Sequence, residues 1–370
     1  MVKRFLYLNG LAVMAVVLYH ATGWGFIAMF WWTDRYRPVQ VPDFSQMGSL
    51  GYYALRAIEQ GVIFGIPLFL FVSGFFIAFA TNRAQRTVSW QVIFSRMKSL
   101  VIPFLIWSVI IMVDDVLQGP SPPLSKILAT ILLGEAAPPY YYVPLLMQLY
   151  LIAPFLVPLA RGRWKLLLVA SAGIQMAVSL LNYAEVLNLE NELLRPFFIL
   201  TWGVLFPGKL FWFSLGMVVG FHLPEFKRAL FRLRSVLLVG VVVFYALGIV
   251  EWELLLKASG REWIGPRETL VDQFFALAFI LAFLALEKFI PPLTDQIAYL
   301  GGKSFGVYLV HHTAQEYAAR LVYHVIPGIF AYQGLFQPYL IAAGLAVPLV
   351  VMALVNRSPA RRYYEFAFGK

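Results

Sequence analysis

The sequence predicts an all-α fold, a polytopic membrane helix bundle of about ten transmembrane helices without a soluble domain. Of the 370 residues, 61% are hydrophobic and 13% are charged, whereas a soluble domain is about 45–50% apolar and about 25% charged. Almost every long segment is an apolar run of about 18–25 residues, which is the length needed to cross a bilayer. Because no polar stretch of domain size interrupts these runs, we expect a single membrane domain over residues 1–370.

The apolar runs define the predicted helices in chain order, and short loops separate them. The first run follows Lys3 and Arg4 and continues past Trp24 without the small-residue cleavage site of a signal peptide, so it is expected to remain as a span. The runs predict helices at residues 5–27, 60–80, 99–117, 141–160, 164–184, 203–222, 235–252, 270–289, 304–326 and 335–355.

Lysine and arginine alternate between successive loops, which predicts the orientation. Loops on one side hold the clusters Lys3 and Arg4; Arg83, Arg86, Arg96 and Lys98; Arg161, Arg163 and Lys165; Lys227, Arg228, Arg232 and Arg234; Lys288 and Lys303; and Arg357, Arg361, Arg362 and Lys370. The other side holds scattered bases among acids such as Glu185 and Glu190. Cytoplasmic loops are enriched in Lys and Arg, so both termini of this multi-pass cell-membrane protein are expected in the cytoplasm. Although the net charge is +10, short clusters between apolar runs indicate a lipid bilayer and no nucleic acid as partner.

The first predicted span contains two polar residues, Asn9 and His20. They are eleven residues apart, close to three helical turns, and therefore share one face. His20 is expected about 22 Å along the helix from Phe5, beyond the membrane midplane. Since an ionisable group in hydrocarbon is costly, His20 is a candidate functional residue. The alternative is a histidine that only packs against a backbone carbonyl.

The predicted ninth span carries a polar stripe with spacings of four, three and four residues: Ser304, Tyr308, His311 and Gln315. His312 and Glu316 form a second pair one step round the helix. Counted from the cytoplasmic end, His311 is expected about 10 Å deep, with Ser73 of the second span at a similar depth and His20 further out. The alternative is a hydrogen-bonded cluster that fixes helix packing.

The second predicted span and the loop after it contribute further candidates. Ser73-Gly74 would allow a helix or a ligand to approach the backbone closely. The loop and the segment after it contain four cations, Arg83, Arg86, Arg96 and Lys98. They are explained either by cytoplasmic orientation and anionic lipid or by a site for phosphates.

Three stretches, in the same order along the chain, resemble the acyltransferase 3 family of integral membrane enzymes. They are residues 15–21 with His20, residues 66–76 with Ser73-Gly74, and residues 301–311 with Ser304, Tyr308 and His311. Two patterns of the family differ here. Leu6 and Asn9 replace an Asp-x-x-Arg, and Arg96-Met-Lys98-Ser replaces an Arg-x-x-Arg.

The resemblance implies transfer of an acyl group, with acetyl-CoA as the expected donor, from cytoplasmic acyl-CoA to a hydroxyl of a cell-surface glycan or a lipid-linked sugar. It implies His20 as general base, and we group Asn9 with it. It also implies an acyl-donor channel at Ser73, Gly74, Ser304, Tyr308 and His311, and CoA phosphates at Arg83, Arg86, Arg96 and Lys98. No metal or resident cofactor is expected. The chain has no cysteine, which excludes an acyl-cysteine intermediate and favours direct transfer. The alternatives are a proton-coupled transporter or flippase of a glycan or lipid and a structural membrane subunit.

Overall fold

The structure is a computed structural model that describes residues 2–81, 85–119, 123–189, 191–265, 268–286, 289 and 291–369. These residues form fourteen α-helices and six short 3-10 helices, and no strand occurs among them. The α-helices are α1 (Val2–Phe30), α2 (Leu50–Val62), α3 (Gly65–Ala80), α4 (Trp90–Gln118), α5 (Leu124–Leu133), α6 (Tyr142–Gly162), α7 (Trp164–Val186), α8 (Leu210–Phe221), α9 (Leu223–Ser259), α10 (Leu270–Ala285), α11 (Thr294–Gly302), α12 (Ser304–Val325), α13 (Gln333–Arg357) and α14 (Tyr364–Phe368).

Seven helical segments among the described residues are long and apolar enough to cross a membrane, and a bent pair of helices makes an eighth. They are Lys3–Phe30, Leu50–Ala80, Trp90–Gln118, Pro138–Gly162, Trp164–Val186, Leu223–Ser259 and Gln333–Arg357, with the pair Arg195–Thr201 and Phe206–Phe221 bent by 51°. The two other predicted spans are also helices. However, α10 has only 16 residues, and polar residues interrupt α12. The all-α polytopic bundle is therefore confirmed, and each of the ten predicted spans contains a helix.

Helix α1 lies in the middle of the bundle, where it packs against α2, α3, α11, α12 and α13. Its central face is closely packed, since Ala12, Val13 and Val17 are completely buried. Beside it, α3 and α8 are in backbone contact through a pair of glycines. A Cβ atom on Gly74 would meet the carbonyl oxygen of Phe213, and a Cβ on Gly216 would meet that of Phe71. Only glycine permits two helices to approach this closely.

Helix α11 lies where the sequence predicted a loop. Its residue Gly301 faces the carbonyl of Leu6, and Gly10 of α1 faces the carbonyl of Ile297. The short helix thus lies beside the first turns of α1. Consequently α12 begins level with residues near Gly10 rather than at the start of α1, which moves every residue of α12 deeper than the sequence predicted.

Helix α2 also begins earlier than the predicted span at residue 60. Its first turns carry charged residues that are buried because they pair. Arg56 forms an ion pair with Glu59 and lies 3.8 Å from the ring centre of Trp252. Gln60 donates a hydrogen bond of 2.9 Å to Asp272 of α10. Because these residues are polar, the sequence predicted a loop where the structure has the first turns of α2.

Candidate functional site

A cavity with a volume of about 750 Å³ has His20 in its wall. We call it the large cavity. Val16 and Tyr19 of α1 line it beside His20, and the opposite walls come from the α2–α3 junction, the segment around Pro138, and residues 201–204. All three α1 residues lie in the second half of the helix. The large cavity is therefore at the level of α1 that the sequence assigned to the outer half of the membrane.

The lining of the large cavity also includes polar residues from other parts of the chain. Lys209 is 8% exposed and forms an ion pair with Glu268. Asn182 and Thr201 lie in the same wall together with the aromatic ring of Trp202. Hydrogen-bond donors, acceptors and an aromatic surface thus meet in one space.

Three imidazoles form a histidine cluster at His20, His311 and His312. The ring centre of His20 is 5.3 Å from that of His311 and 5.2 Å from that of His312. The prediction that His20 lies well beyond His311 in depth is therefore wrong. Because α11 pushes the start of α12 inward, the two histidines meet at the same level.

His311 is completely buried. Its Nδ1 atom lies 2.8 Å from the carbonyl oxygen of Tyr308 and 3.2 Å from that of Val307. Its Nε2 atom has no hydrogen-bond partner within the described part of the chain. His20, by contrast, is half-buried, and only this member of the cluster lines the large cavity.

A second, smaller cavity of about 310 Å³ lies near the beginning of α1. We call it the small cavity. Five of the residues that the sequence singled out line it together: Asn9, Ser73, Arg96, Ser304 and Tyr308. The sequence paired Asn9 with His20, but the two residues line different cavities, about 16 Å apart along α1. The structure thus groups Asn9 with the predicted donor-channel residues.

Two cations reach the small cavity. Arg96 lines it and donates a hydrogen bond of 3.2 Å to the carbonyl of Phe76. Lys303, which the sequence analysis noted only as a topology signal, lines it as well and donates a 2.9 Å hydrogen bond to the hydroxyl of Tyr364.

The other predicted cations are placed differently. Lys98 follows Arg96 by two residues on α4, so its side chain points about 200° round the helix axis from that of Arg96. Lys98 is therefore exposed. Arg86 is exposed too, and neither residue lines the small cavity. Arg83 lies outside the described residues.

Gly74 does not line either cavity. Its α-carbon faces the backbone of α8, and this contact supports the interpretation of Ser73-Gly74 as a site of close helix packing. Ser73, one residue earlier, lines the small cavity together with Tyr142. In this dipeptide, Gly74 therefore permits close helix packing, while Ser73 contributes to the wall of the small cavity.

Aromatic side chains form the partition between the two cavities. The hydroxyl of Tyr308, which lines the small cavity, donates a hydrogen bond to the carbonyl of Pro139, which lines the large one. The hydroxyl of Tyr140 donates a 2.6 Å hydrogen bond to the carbonyl of Leu309. The ring centres of Tyr308 and His311 are 6.0 Å apart. A column of rings, Tyr308, His311 and His20, thus connects the small cavity with the large one.

Several lining residues were missed by sequence reasoning. Tyr364, Phe368 and Gly369, after the last span, close one side of the small cavity. Their segment is held against α4 by a 2.8 Å hydrogen bond from Trp107 to the carbonyl of Ala367. The only feature of the sequence that could have indicated a role in the cavity was the aromatic content of this segment. Lys209 and Glu268 of the large cavity gave no signal, because charged residues at span ends are common.

Fold and site together define an integral membrane protein in which two cavities, at different levels of one helix, are connected by the column of rings Tyr308, His311 and His20. This arrangement suits a group transfer between two substrates. The model of the acyltransferase 3 family, described as an acyltransferase domain, matches residues 5–356. The chain therefore belongs to this family and is a membrane acyltransferase, as the resemblance implied. Neither a curated protein nor a solved structure matches the chain.

Proposed function

We propose that this protein is an O-acyltransferase that moves an acyl group, in the first place acetyl, from cytoplasmic acyl-CoA to a hydroxyl of a cell-surface glycan or a lipid-linked sugar. The observation that carries the proposal is the column of rings between the two cavities. It brings His20 to the point where a donor in the small cavity and an acceptor in the large cavity would meet. The family membership favours this function over the transporter and structural alternatives.

The small cavity suits the donor. Arg96 and Lys303 can neutralise phosphate groups of CoA, because guanidinium and ammonium groups make charge-assisted hydrogen bonds to phosphate oxygens. Asn9, Ser73 and Ser304 offer polar groups to the amides of a pantetheine arm. Both cations belong to the side of the bundle that the Lys and Arg alternation assigns to the cytoplasm, where acyl-CoA is made.

The large cavity suits the acceptor. A volume of about 750 Å³ lies within the ~300–1,000 Å³ of typical small-molecule sites. Glu268 can accept hydrogen bonds from sugar hydroxyls, Lys209 can donate them, and Asn182 can do both. Trp202 adds an apolar surface for a sugar ring.

Acyl transfer itself requires a base for the acceptor hydroxyl. His20 takes the hydroxyl proton while the oxygen attacks the thioester carbonyl, and the new ester bond forms as the carbon–sulfur bond breaks. The protonated imidazole then returns this proton to the leaving thiolate, which yields free CoA. An imidazole can both accept and donate a proton, so one side chain can perform both steps. To reach His20, the acyl group has to pass Tyr308, so we expect this side chain to move when the donor binds.

The proposal is tested with the purified protein in lipid nanodiscs. We expect acetyl-CoA together with a mixture of glycans to release free CoA, which a thiol reagent detects, and to yield a product heavier by one acetyl group in mass spectrometry. A liposome assay addresses the transporter alternative. Flux of the glycan without acyl-CoA, with no CoA release under any condition, would contradict the proposal.

A further inference from the structure

We infer that His311 is a positioning residue for the base: its Nε2 atom accepts the N–H of His20 and so directs the other nitrogen of His20 towards the large cavity. This inference rests on the proposed function, in which His20 is the general base. It differs from the role that the sequence suggested for His311, which was a place in the acyl-donor channel.

The hydrogen bonds of His311 determine its tautomer. Nδ1 lies 2.8 Å from the carbonyl oxygen of Tyr308 and 3.2 Å from that of Val307. Carbonyl oxygens only accept hydrogen bonds, so Nδ1 carries the hydrogen, and Nε2 of the neutral ring is left as a bare acceptor. Both carbonyls belong to the helix that carries His311, which makes this assignment independent of any substrate.

The bare Nε2 atom needs a donor. It is buried and has no partner within the described part of the chain, and a buried acceptor without a partner costs free energy. The nearest ring that can supply an N–H is that of His20, with centres 5.3 Å apart and planes tilted by 50°. The ring of His312 is further away, at 6.5 Å. The bond is not formed in the structure, so it requires the ring of His20 to rotate towards Nε2.

Such a bond assigns different tasks to the two nitrogens of His20. One nitrogen donates to His311 and is fixed, while the other keeps its lone pair for the acceptor hydroxyl. When His20 takes the proton, its bond to Nε2 becomes charge-assisted and therefore stronger. An imidazole that is oriented by a second side chain is a recurring feature of catalytic sites. Because His311 lines neither cavity, it would act through His20.

Two substitutions separate this role from the others. Asn and Gln imitate different ends of an imidazole, since the amide of Asn lies near the position of Nδ1 and that of Gln near the position of Nε2. His311→Asn should keep the bond to the Tyr308 carbonyl but lose the acceptor for His20. We expect kcat to fall about 10–100-fold, the range known for residues that orient a functional imidazole, with the KM of acetyl-CoA and of the acceptor unchanged. His311→Gln should recover a substantial part of kcat, and His324→Asn, an exposed histidine on the same helix, should behave like the wild type.

A second measurement does not depend on activity. ¹⁵N NMR of the protein, which has five histidines, should show a neutral ring with hydrogen on Nδ1 whose signal disappears in His311→Gln.

Three results would overturn the inference. An increased KM for acetyl-CoA at unchanged kcat would return His311 to the donor channel. Equal losses in the Asn and Gln variants, together with a lower thermal midpoint, would indicate a packing role. Wild-type kcat in His311→Asn, while His20→Ala is inactive, would refute the inference and leave the proposed function intact. An active His20→Ala variant would instead refute the proposed base itself.

Discussion

His20 is a polar interruption in an otherwise apolar helix, and the structure gives it two kinds of neighbours. On one side lies the large cavity, and on the other lie two further imidazoles. A histidine that only filled a gap in the packing would need neither. The combination of access to a cavity and buried polar neighbours is the arrangement expected of a residue that exchanges protons.

His20→Ala should therefore abolish detectable acyl transfer. Loss of a general base lowers rates by about 10²–10⁴, and CoA release in nanodiscs would measure it. The wild-type rate should fall as the pH is lowered and the imidazole becomes protonated, because imidazolium cannot accept the hydroxyl proton. The variant should still fold and bind acyl-CoA, since the donor residues lie in the small cavity. His324→Ala is the matched control, and near-wild-type turnover of His20→Ala would move the base to another residue.

Arg96 and Lys98 form a natural pair for the donor site. Arg96 lines the small cavity and Lys98 is exposed outside it. Hydrogen bonds to charged groups contribute about 1.5–3 kcal/mol, so Arg96→Ala should raise the KM of acyl-CoA about ten-fold or more at similar kcat. Lys98→Ala should change it less than about two-fold. Equal KM values of acyl-CoA for both variants and the wild type would show that these cations do not bind the donor and reflect only the orientation of the protein in the membrane.

The ion pair of the large cavity should determine acceptor binding. Glu268→Gln removes the negative charge and replaces one accepting carboxylate oxygen by a donating NH2 group, so we expect a higher KM for the acceptor and an unchanged KM for acyl-CoA. The substitution also leaves the buried charge of Lys209 without an opposite charge, which lowers stability. The double variant Lys209→Met, Glu268→Leu should restore stability but not acceptor binding. Glu262→Gln, exposed outside the cavity, serves as control, and a normal acceptor KM in the double variant would contradict the assignment.

At the scale of the elements, the sequence showed the long apolar helices and missed the short ones. A run of about 20 apolar residues has one simple explanation, a membrane span. Helices α5, α11 and α14 have 10, 9 and 5 residues, and α11 packs against the distant α1 as α14 does against the distant α4. Because α11 was missed, the depth of His311 was misjudged.

The glycine contact between α3 and α8 can be tested as an element. Gly74→Ala places a Cβ atom against the carbonyl of Phe213, and overpacking of this kind costs about 1–3 kcal/mol. We expect a lower thermal midpoint in detergent and reduced activity, because Ser73 would be displaced from the small cavity. Gly173→Ala in α7 meets no atom within 4 Å and should be neutral or slightly stabilising. Equal midpoints for the two variants would show that the helices can separate without cost.

At the scale of the whole molecule, composition and the length of the apolar runs were sufficient for the fold class, whereas they could not assemble the site. The stripe Ser304, Tyr308 and His311 was visible because polar residues stand out in an apolar helix. Lys209 and Glu268 were not visible, since charged residues near span ends are normally solvated. Only tertiary packing brings Arg96 and Lys303, which are far apart in the sequence, to one cavity.

The position of Lys303 determines which topology is expected of the molecule. If α10 and α12 both cross the membrane, residues 291–293 between α10 and α11 face the cytoplasm. If neither crosses it, the same residues face outwards, although the C-terminus is cytoplasmic in both cases. Lys303 lines the small cavity together with Asn9 near the start of α1. The connection between α10 and α12 therefore lies at the same end of the bundle as the N-terminus, and ten spans are expected.

The chain has no cysteine, so single-cysteine variants can be labelled in intact cells with a membrane-impermeant maleimide. Pro292→Cys should react only after the membrane is permeabilised, as should a cysteine added after Lys370, whereas Glu192→Cys should react in intact cells. Labelling of Pro292→Cys from outside would show that α10 and α12 do not span the bilayer. Labelling of Glu192→Cys only after permeabilisation would reverse the orientation of the entire map, because every loop alternates with its neighbours. The small cavity would then open away from the cytoplasmic supply of acyl-CoA, so this experiment tests the direction of acyl transfer together with the fold.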